Sequence, residues 1–220
     1  MIYSKTQKMD LLQHLHSFFE YLSSNEIDLY NEPGLQHELA IYLRENLHPD
    51  EIRLEYPKDL ILSLPEGNPT SEHILARICK EAADIFLRIG AERYVIELKL
   101  PRRSNDGIPK QKVKAVQDAA FLQQLFDYQT SEKPIAACFA IFLSADDRFW
   151  RQYPTSASVV HQYFSSKWVR FEPLNQSVAQ RFGNDHKLAE VPITRMYRTP
   201  WKDICIRGEK FRYYIIHIQQ

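Results

Sequence analysis

Between Lys8 and Ser23 apolar residues recur at helical spacing, at Leu11, Leu12, Leu15, Phe18, Phe19 and Leu22, which predicts a helix with one apolar face. A second helix is expected from about Pro33 to Asn46. Asn31 suits its cap, Pro33 its first turn, and Leu35, Leu39 and Leu43 line one side. The period then changes to two: Glu51 to Tyr56 alternates through Ile52, Leu54 and Tyr56, as a half-buried strand does. Pro65 to Ser71, rich in Pro, Gly and Asn, has the composition of a loop. From Glu81 to Leu100 two apolar-rich runs flank Gly90-Ala91, and a Gly at the first central position suits the tight turn of an antiparallel hairpin.

A polar loop over Pro101 to Pro109 follows, then a long helix from Lys112 to Gln129 carrying Val113, Val116, Ala120, Phe121, Leu125 and Tyr128. Pro134 to Leu143 is a continuous apolar run, the pattern of a fully buried strand. Beyond Ser144 the periodicity weakens. Arg148 to Tyr163 is aromatic and polar, Trp168 to Phe171 suits a short strand, Phe211 to Ile218 a last one, and Pro200-Trp201 the start of a small C-terminal cap. With no internal repeat, the expectation is one domain over 1–220, with its core at about 33–144, an N-terminal helix at 8–23 and a C-terminal extension at 145–220.

The 220 residues are 44% hydrophobic, enough for a packed core. No apolar stretch reaches the length of a bilayer span and the first residues lack a signal-peptide pattern, so no membrane partner and a cytoplasmic location are expected. Cys79, Cys138 and Cys205 fit neither a disulfide framework nor a zinc site, and the eight histidines show no zinc-ligand spacing. Formal net charge is zero, yet Lys99, Arg102, Arg103, Lys110, Lys112 and Lys114 crowd one stretch against Asp106 alone. After Pro192, Arg195, Arg198, Lys202, Arg207, Lys210 and Arg212 alternate with Tyr197, Trp201, Phe211, Tyr213 and Tyr214. Basic residues mixed with aromatics suit a polyanion-binding groove, and a solvated basic face is the alternative. The aromatics from Phe149 to Trp168 suit core or dimer packing better than stacking on bases.

The hairpin carries the chemistry. If it closes at Gly90-Ala91, Ile89 faces Glu92 and, counting back, Asp84 faces Glu97. Alternation puts Glu97 and Lys99 on one face, with Ile96, Leu98 and Leu100 on the other. Two carboxylates directly opposite repel, and a hard divalent cation held by oxygen ligands removes the repulsion.

On these residues the chain resembles the PD-(D/E)XK nuclease superfamily, over about Leu35 to Leu143: Glu38 on the first core helix, Asp84 on the second strand, Glu97-Leu98-Lys99 on the third. The resemblance implies an α/β, restriction-endonuclease-like fold, a mixed sheet flanked by helices in the order αβββαβ. It implies that Asp84, Glu97 and the Leu98 carbonyl bind Mg2+ or Mn2+, with Glu38 completing the site directly or through a water. Lys99 is then the residue that orients the attacking water and stabilises charge on the phosphate. Gln124-Leu-Phe-Asp-Tyr128 is similar to the Gln-x-x-x-Tyr signature of one branch of that superfamily, which makes Gln124, or Gln117 two turns earlier, a further catalytic candidate. Ala82-Ala83 stand where many members have a proline before the aspartate. The implied activity is a metal-dependent endonuclease or related hydrolase acting on DNA in restriction, defence or repair, with Arg102, Arg103, Lys110, Lys112 and Lys114 on phosphates. A catalytically silent nucleic-acid-binding or assembly module, an RNA-directed nuclease, and homodimerisation stay open.

Overall fold

The structure, a computed structural model, describes residues 10–101, 107–154, 159–173 and 191–219. Helix α1 (Leu11–Ser24) starts at Asp10, whose carboxylate accepts from the Gln13 N–H at 3.3 Å, and buries Leu11, Leu15, Phe18, Phe19 and Leu22. Helix α2 (Glu32–Leu47) starts at Asn31, whose side chain accepts from the Gly34 N–H at 2.7 Å, with Pro33 in the first turn. Strand β1 (Glu51–Pro57) follows. Two short helices follow, α3 (Lys58–Leu62) and α4 (Pro69–Arg77), the second of which starts inside the 65–71 stretch whose composition predicts a loop. The Asn and Pro that resemble loop punctuation are start signals: Asn68 accepts from the Thr70 N–H at 2.9 Å and Pro69 sits in the first turn.

Strands β2 (Ala82–Ile89) and β3 (Glu92–Lys99) form the expected hairpin, paired Ile89↔Glu92 through Ile85↔Ile96. Gly90 takes φ +59° in the turn, a conformation that costs a residue with a Cβ. Helix α5 (Ile108–Tyr128) begins a turn before the expected Lys112, with Pro109 in its first turn, and leads into β4 (Ala137–Ser144), every residue of which is buried. A 3₁₀ turn (Asp147–Phe149), helix α6 (Val159–Gln162) and strands β5 (Trp168–Phe171), β6 (Tyr197–Pro200), β7 (Lys202–Ile206) and β8 (Glu209–Ile218) complete the described elements.

A six-stranded mixed sheet runs β1-β2-β3-β4-β8-β7, parallel at β3/β4 and antiparallel elsewhere; β5 and β6 form a separate antiparallel pair. The stretch after Ser144 is therefore more than an extension: β8 pairs with β4 from Cys138↔Ile218 to Ser144↔Arg212, and β7 forms the edge of the same sheet. Helices α1 and α2 cover one face over Ile85, Leu87, Ile96, Leu98, Phe139 and Ile141. Helix α5, with α3 and the β5–β6 pair, covers the other over Ala83, Phe86, Val95, Ala140 and Phe142. Each fully buried side chain of this size stabilises the fold by about 1.5–3 kcal/mol, and Leu15→Ala, at a position with no exposure, costs about 2–5 kcal/mol. No described helix is long and apolar enough to cross a membrane.

Candidate functional site

The hairpin register brings Asp84 and Glu97 to adjacent strands, and alternation turns Glu97 and Lys99 toward α5 while Ile96 and Leu98 join the opposite core. Glu97 is only 1% exposed. On α5 a carboxylate interrupts the apolar run Val116, Ala119, Ala120, Phe121: Asp118, also buried. Lys80, from the short link between α4 and β2, places its ammonium between the two acids. It donates to Glu97 Oε2 and, at 3.1 Å, to Asp118 Oδ1. Lys99 Nζ lies 3.4 Å from Asp118 Oδ2 and donates to Glu32 Oε1 at 2.9 Å, while Glu32 Oε2 accepts from the Leu100 N–H at 3.0 Å. The result is a ring of four carboxylates and two lysines drawn from α2, β2, β3, α5 and one loop.

Polar partners hold the ring in place. Asp84 Oδ2 accepts from the Leu98 N–H at 2.6 Å, and the Asp84 carbonyl accepts from Gln36 Nε2 at 2.6 Å; the same Gln36 nitrogen donates to Glu55 Oε1 at 2.9 Å. Glu55 lies on β1 between the pairs Leu54↔Ile85 and Tyr56↔Ala83, beside Asp84, and takes φ +49°. A left-handed glutamate in a strand is strained, and such strain persists where surrounding contacts over-determine the backbone. Two buried oxygens, Glu97 Oε1 and Asp118 Oδ2, have no hydrogen-bond donor. An acceptor deprived of water in this way costs stability.

Burial raises Asp84 to about 6, opposed by the Lys80 charge and the Leu98 N–H. Burial raises Glu97 well above the carboxylate range, and the charges of Asp84 and Asp118 add to it. Burial alone disfavours the Lys80 ammonium, but Asp118, Glu97 and Asp84 together outweigh it and hold the proton more firmly than usual. Lys99 follows the same balance, burial opposed by Asp118 and Glu32, and is pushed up to about 12. At neutral pH both lysines are cations.

The expected residues fall into three groups. Asp84, Glu97 and Lys99 come together, and the Leu98 peptide meets Asp84 through its N–H. Glu38, half-buried on α2, makes none of the ring's hydrogen bonds or ion pairs; Glu32 and Gln36, one helical turn apart, supply the helix's contribution instead. Gln124 ties down the end of α4, accepting from the Cys79 N–H at 3.1 Å and donating to the Arg77 carbonyl at 2.9 Å. The position beside Gln117, Asp118, enters the ring. The sequence signal for it is a lone acid on the face shared by Phe121, Leu122 and Leu125, the spacing of a buried helix stripe; Lys80 and Glu32 carry no comparable signal.

Of the expected phosphate contacts, Arg102 and Arg103 lie outside the described residues. Lys110 is exposed and Lys114 half-buried near the start of α5. Lys112 is turned fully inward, 0% exposed, its Nζ 3.0 Å from His161 Nδ1 and over the rings of Tyr153 and Phe164 at 4.8 and 5.1 Å. It cannot meet a phosphate from there, and burial together with the Arg151 charge lowers it to about 7. The C-terminal groove also dissolves: Tyr197, Trp201, Phe211, Tyr213 and Tyr214 are core residues. Arg195 pairs with Asp127, Arg207 with Asp28, and Lys210 and Arg212 with Asp203.

Asp84, Glu97 and Asp118 offer hard oxygen donors, and two of their buried oxygens, Glu97 Oε1 and Asp118 Oδ2, accept no hydrogen bond, so the residue types fit Mg2+ or Mn2+. Lys80 currently answers part of that demand, and among the described residues no three His, Cys, Asp or Glu side chains form a group that could hold a metal ion. No family model, curated protein or solved structure matches the chain.

Proposed function

We propose that this chain is a divalent-metal-dependent nuclease that hydrolyses phosphodiester bonds, with DNA as its first candidate substrate. The observation that carries the reading is the ring itself: Asp84 and Glu97 on neighbouring strands, Lys99 on the Glu97 face, and two buried carboxylate oxygens without a donor. Lys80 and Lys99 offset part of the charge on these buried acids, and the two oxygens left without a hydrogen bond are acceptors that a metal would satisfy. A bound Mg2+ or Mn2+ would supply a hydroxide near neutral pH and offset charge gathering on the phosphate. Asp84, Glu97 and Asp118 would hold it once the Lys80 ammonium, which now stands between Glu97 and Asp118, gave way. Lys99, kept protonated by Asp118 and Glu32, donates to a phosphate oxygen or orients a water, and Glu32 aims it by gripping both Nζ and the Leu100 N–H. The test is incubation of purified protein with plasmid, linear and single-stranded DNA and with RNA, in Mg2+, Mn2+ or chelator. Cleavage with either metal and none in chelator is the expected result; cleavage in chelator removes the metal from the reading, and cleavage of RNA alone reassigns the substrate.

One observation favours a second reading, a catalytically silent module. The Lys80 ammonium already neutralises Glu97 and Asp118, as a structural ion-pair network does. That reading expects no cleavage under any condition and no stabilisation by Mg2+.

A further inference from the structure

The β5–β6 pair lies apart from the main sheet, and its two faces differ. Val169, Phe171 and Tyr197 point into the core, while Trp168, Arg170, Arg198 and Pro200 point outward. The outward register pairs Trp168↔Pro200 and Arg170↔Arg198, so two arginines stand directly opposite on an open surface, with exposed Lys167 beside them. Like charges in that position repel. Glu172 answers Arg170 at 3.0 Å, whereas among the described residues Arg198 meets no carboxylate: its guanidinium lies over the Trp168 ring, 4.4 Å from the centroid. Trp168 is 41% exposed, one of the few large apolar side chains left in solvent.

The platform is held stiffly. The Trp168 N–H donates to Ser165 Oγ at 3.1 Å, and the Trp168 carbonyl accepts from the Ser165 N–H and hydroxyl, both at 3.0 Å. The Arg170 N–H donates to the Tyr163 carbonyl at 2.8 Å, and the Trp201 N–H to the Lys167 carbonyl at 3.3 Å. An exposed indole on a braced backbone, flanked by three cations and one acid, has the parts of a stacking site with phosphate contacts beside it.

The geometry points to this ribbon as a docking surface for single-stranded nucleic acid, an unpaired base stacking on Trp168 and neighbouring phosphates meeting Arg198, Arg170 and Lys167. It deepens the nuclease reading, on which the choice of a nucleic acid over another polyanion rests. A single strand is favoured over a duplex because the indole face needs a base free of its partner; a duplex offers the ribbon only its backbone.

The test is binding in chelator, so that cleavage plays no part. The full chain is titrated with a labelled single-stranded oligonucleotide, with its duplex and with polyglutamate, across a range of salt. The single strand is expected to bind best and to quench tryptophan fluorescence. Trp168→Ala should weaken it roughly ten- to a hundredfold and abolish the quench, and Trp168→Tyr should restore most of the affinity. Arg198→Gln and Arg170→Gln should each reduce the slope of log affinity against log salt by about 0.7, while Arg198→Lys keeps it. Melting temperatures close to wild type show that the half-exposed sites have not unfolded the protein. An unchanged affinity in Trp168→Ala, a preference for duplex, or equal binding of polyglutamate overturns the proposal. Binding by the ribbon in a protein that cleaves nothing removes only the catalytic reading; cleavage together with ribbon variants that bind like wild type removes only the ribbon.

Discussion

Lys80 and Lys112 are both withdrawn from solvent beside α5, and their surroundings drive them in opposite directions. Lys80 reaches Glu97 and Asp118, and three carboxylates hold its proton against the cost of burial. Lys112, six residues before Asp118 on the same helix, makes no ion pair among the described residues and is lowered to about 7 by burial and Arg151. The aromatic rings over Lys112 favour its cation, and Asp146 does so at longer range, but neither restores an ordinary lysine. Burial by itself therefore says little about a lysine's charge. What decides is whether an acid accompanies it.

The largest effect should come from removing the cation on the acidic side. Lys80→Met leaves Glu97 and Asp118 buried without their common partner, and in chelator at pH 7 it is expected to cost about 3–5 kcal/mol, measured by urea denaturation. Low pH should narrow the loss as Glu97 takes up a proton. A loss below about 1 kcal/mol would make Lys80 an ordinary surface partner.

Next, Lys99→Ala removes a donor that Glu32 and Asp118 position, and should slow metal-dependent cleavage roughly 100-fold or more while leaving nucleic-acid affinity almost unchanged. Cleavage at the wild-type rate would confine Lys99 to a structural ion pair.

On the aromatic side the sign reverses. The folded-state value of Lys112 lies near 7, below its unfolded value of about 10.4. Below pH 7 both states bind the proton and the fold carries the full cost of the buried charge; between about 7 and 10 only the unfolded chain stays protonated, so stability on this account rises with pH. Lys112→Met is therefore expected to stabilise by about 2 kcal/mol at pH 6, with the difference from wild type closing by pH 10. Thermal melts over that range decide it, and a constant or widening gap would mean that the rings keep Lys112 charged.

The smallest effect concerns Asp84, raised to about 6 from an ordinary 3.8. Ionising it in the fold costs free energy, so its contribution to stability falls as pH climbs from about 4 to 6. In chelator, Asp84→Asn should gain about 1 kcal/mol at pH 7 and nothing at pH 3.5. Magnesium at a hundredfold excess over Kd should stabilise wild type by about 2.7 kcal/mol and the variant by much less. Destabilisation by Asp84→Asn in chelator, with no response to magnesium in either protein, would favour the silent module.

Local signals made the hairpin legible: Gly90 set the turn, and counting back from it reached the pairing that puts Asp84 beside Glu97. The start of α2 was equally legible, because Asn31 and Pro33 act on their own helix. What stayed hidden depends on neighbours distant in the chain. Whether Glu32 or Glu38 reaches the ring follows from how α2 lies across β3. Lys112 reads as one more base in a basic run, and only the fold brings the rings of Tyr153 and Phe164 over it. The C-terminal stretch suggested a groove because alternating bases and aromatics describe equally a binding face and a strand with one side in the core. In β8 the second holds, whereas in the β5–β6 pair an outward tryptophan sits beside bases.

The pairing of β4 with β8 has a consequence for what can be cut away. Strand β4 is eight residues long and apolar from Ala137 to Leu143, and β8 covers the edge that faces away from β3. A fragment spanning 33–144 would retain the whole Asp84–Glu97–Lys99 hairpin yet present β4 as a long, bare, hydrophobic edge, the kind that recruits strands from other molecules. Such a piece should form insoluble aggregates rather than a minimal folded unit. The strand that covers this edge is thus far along the chain from the acidic hairpin it shares a sheet with.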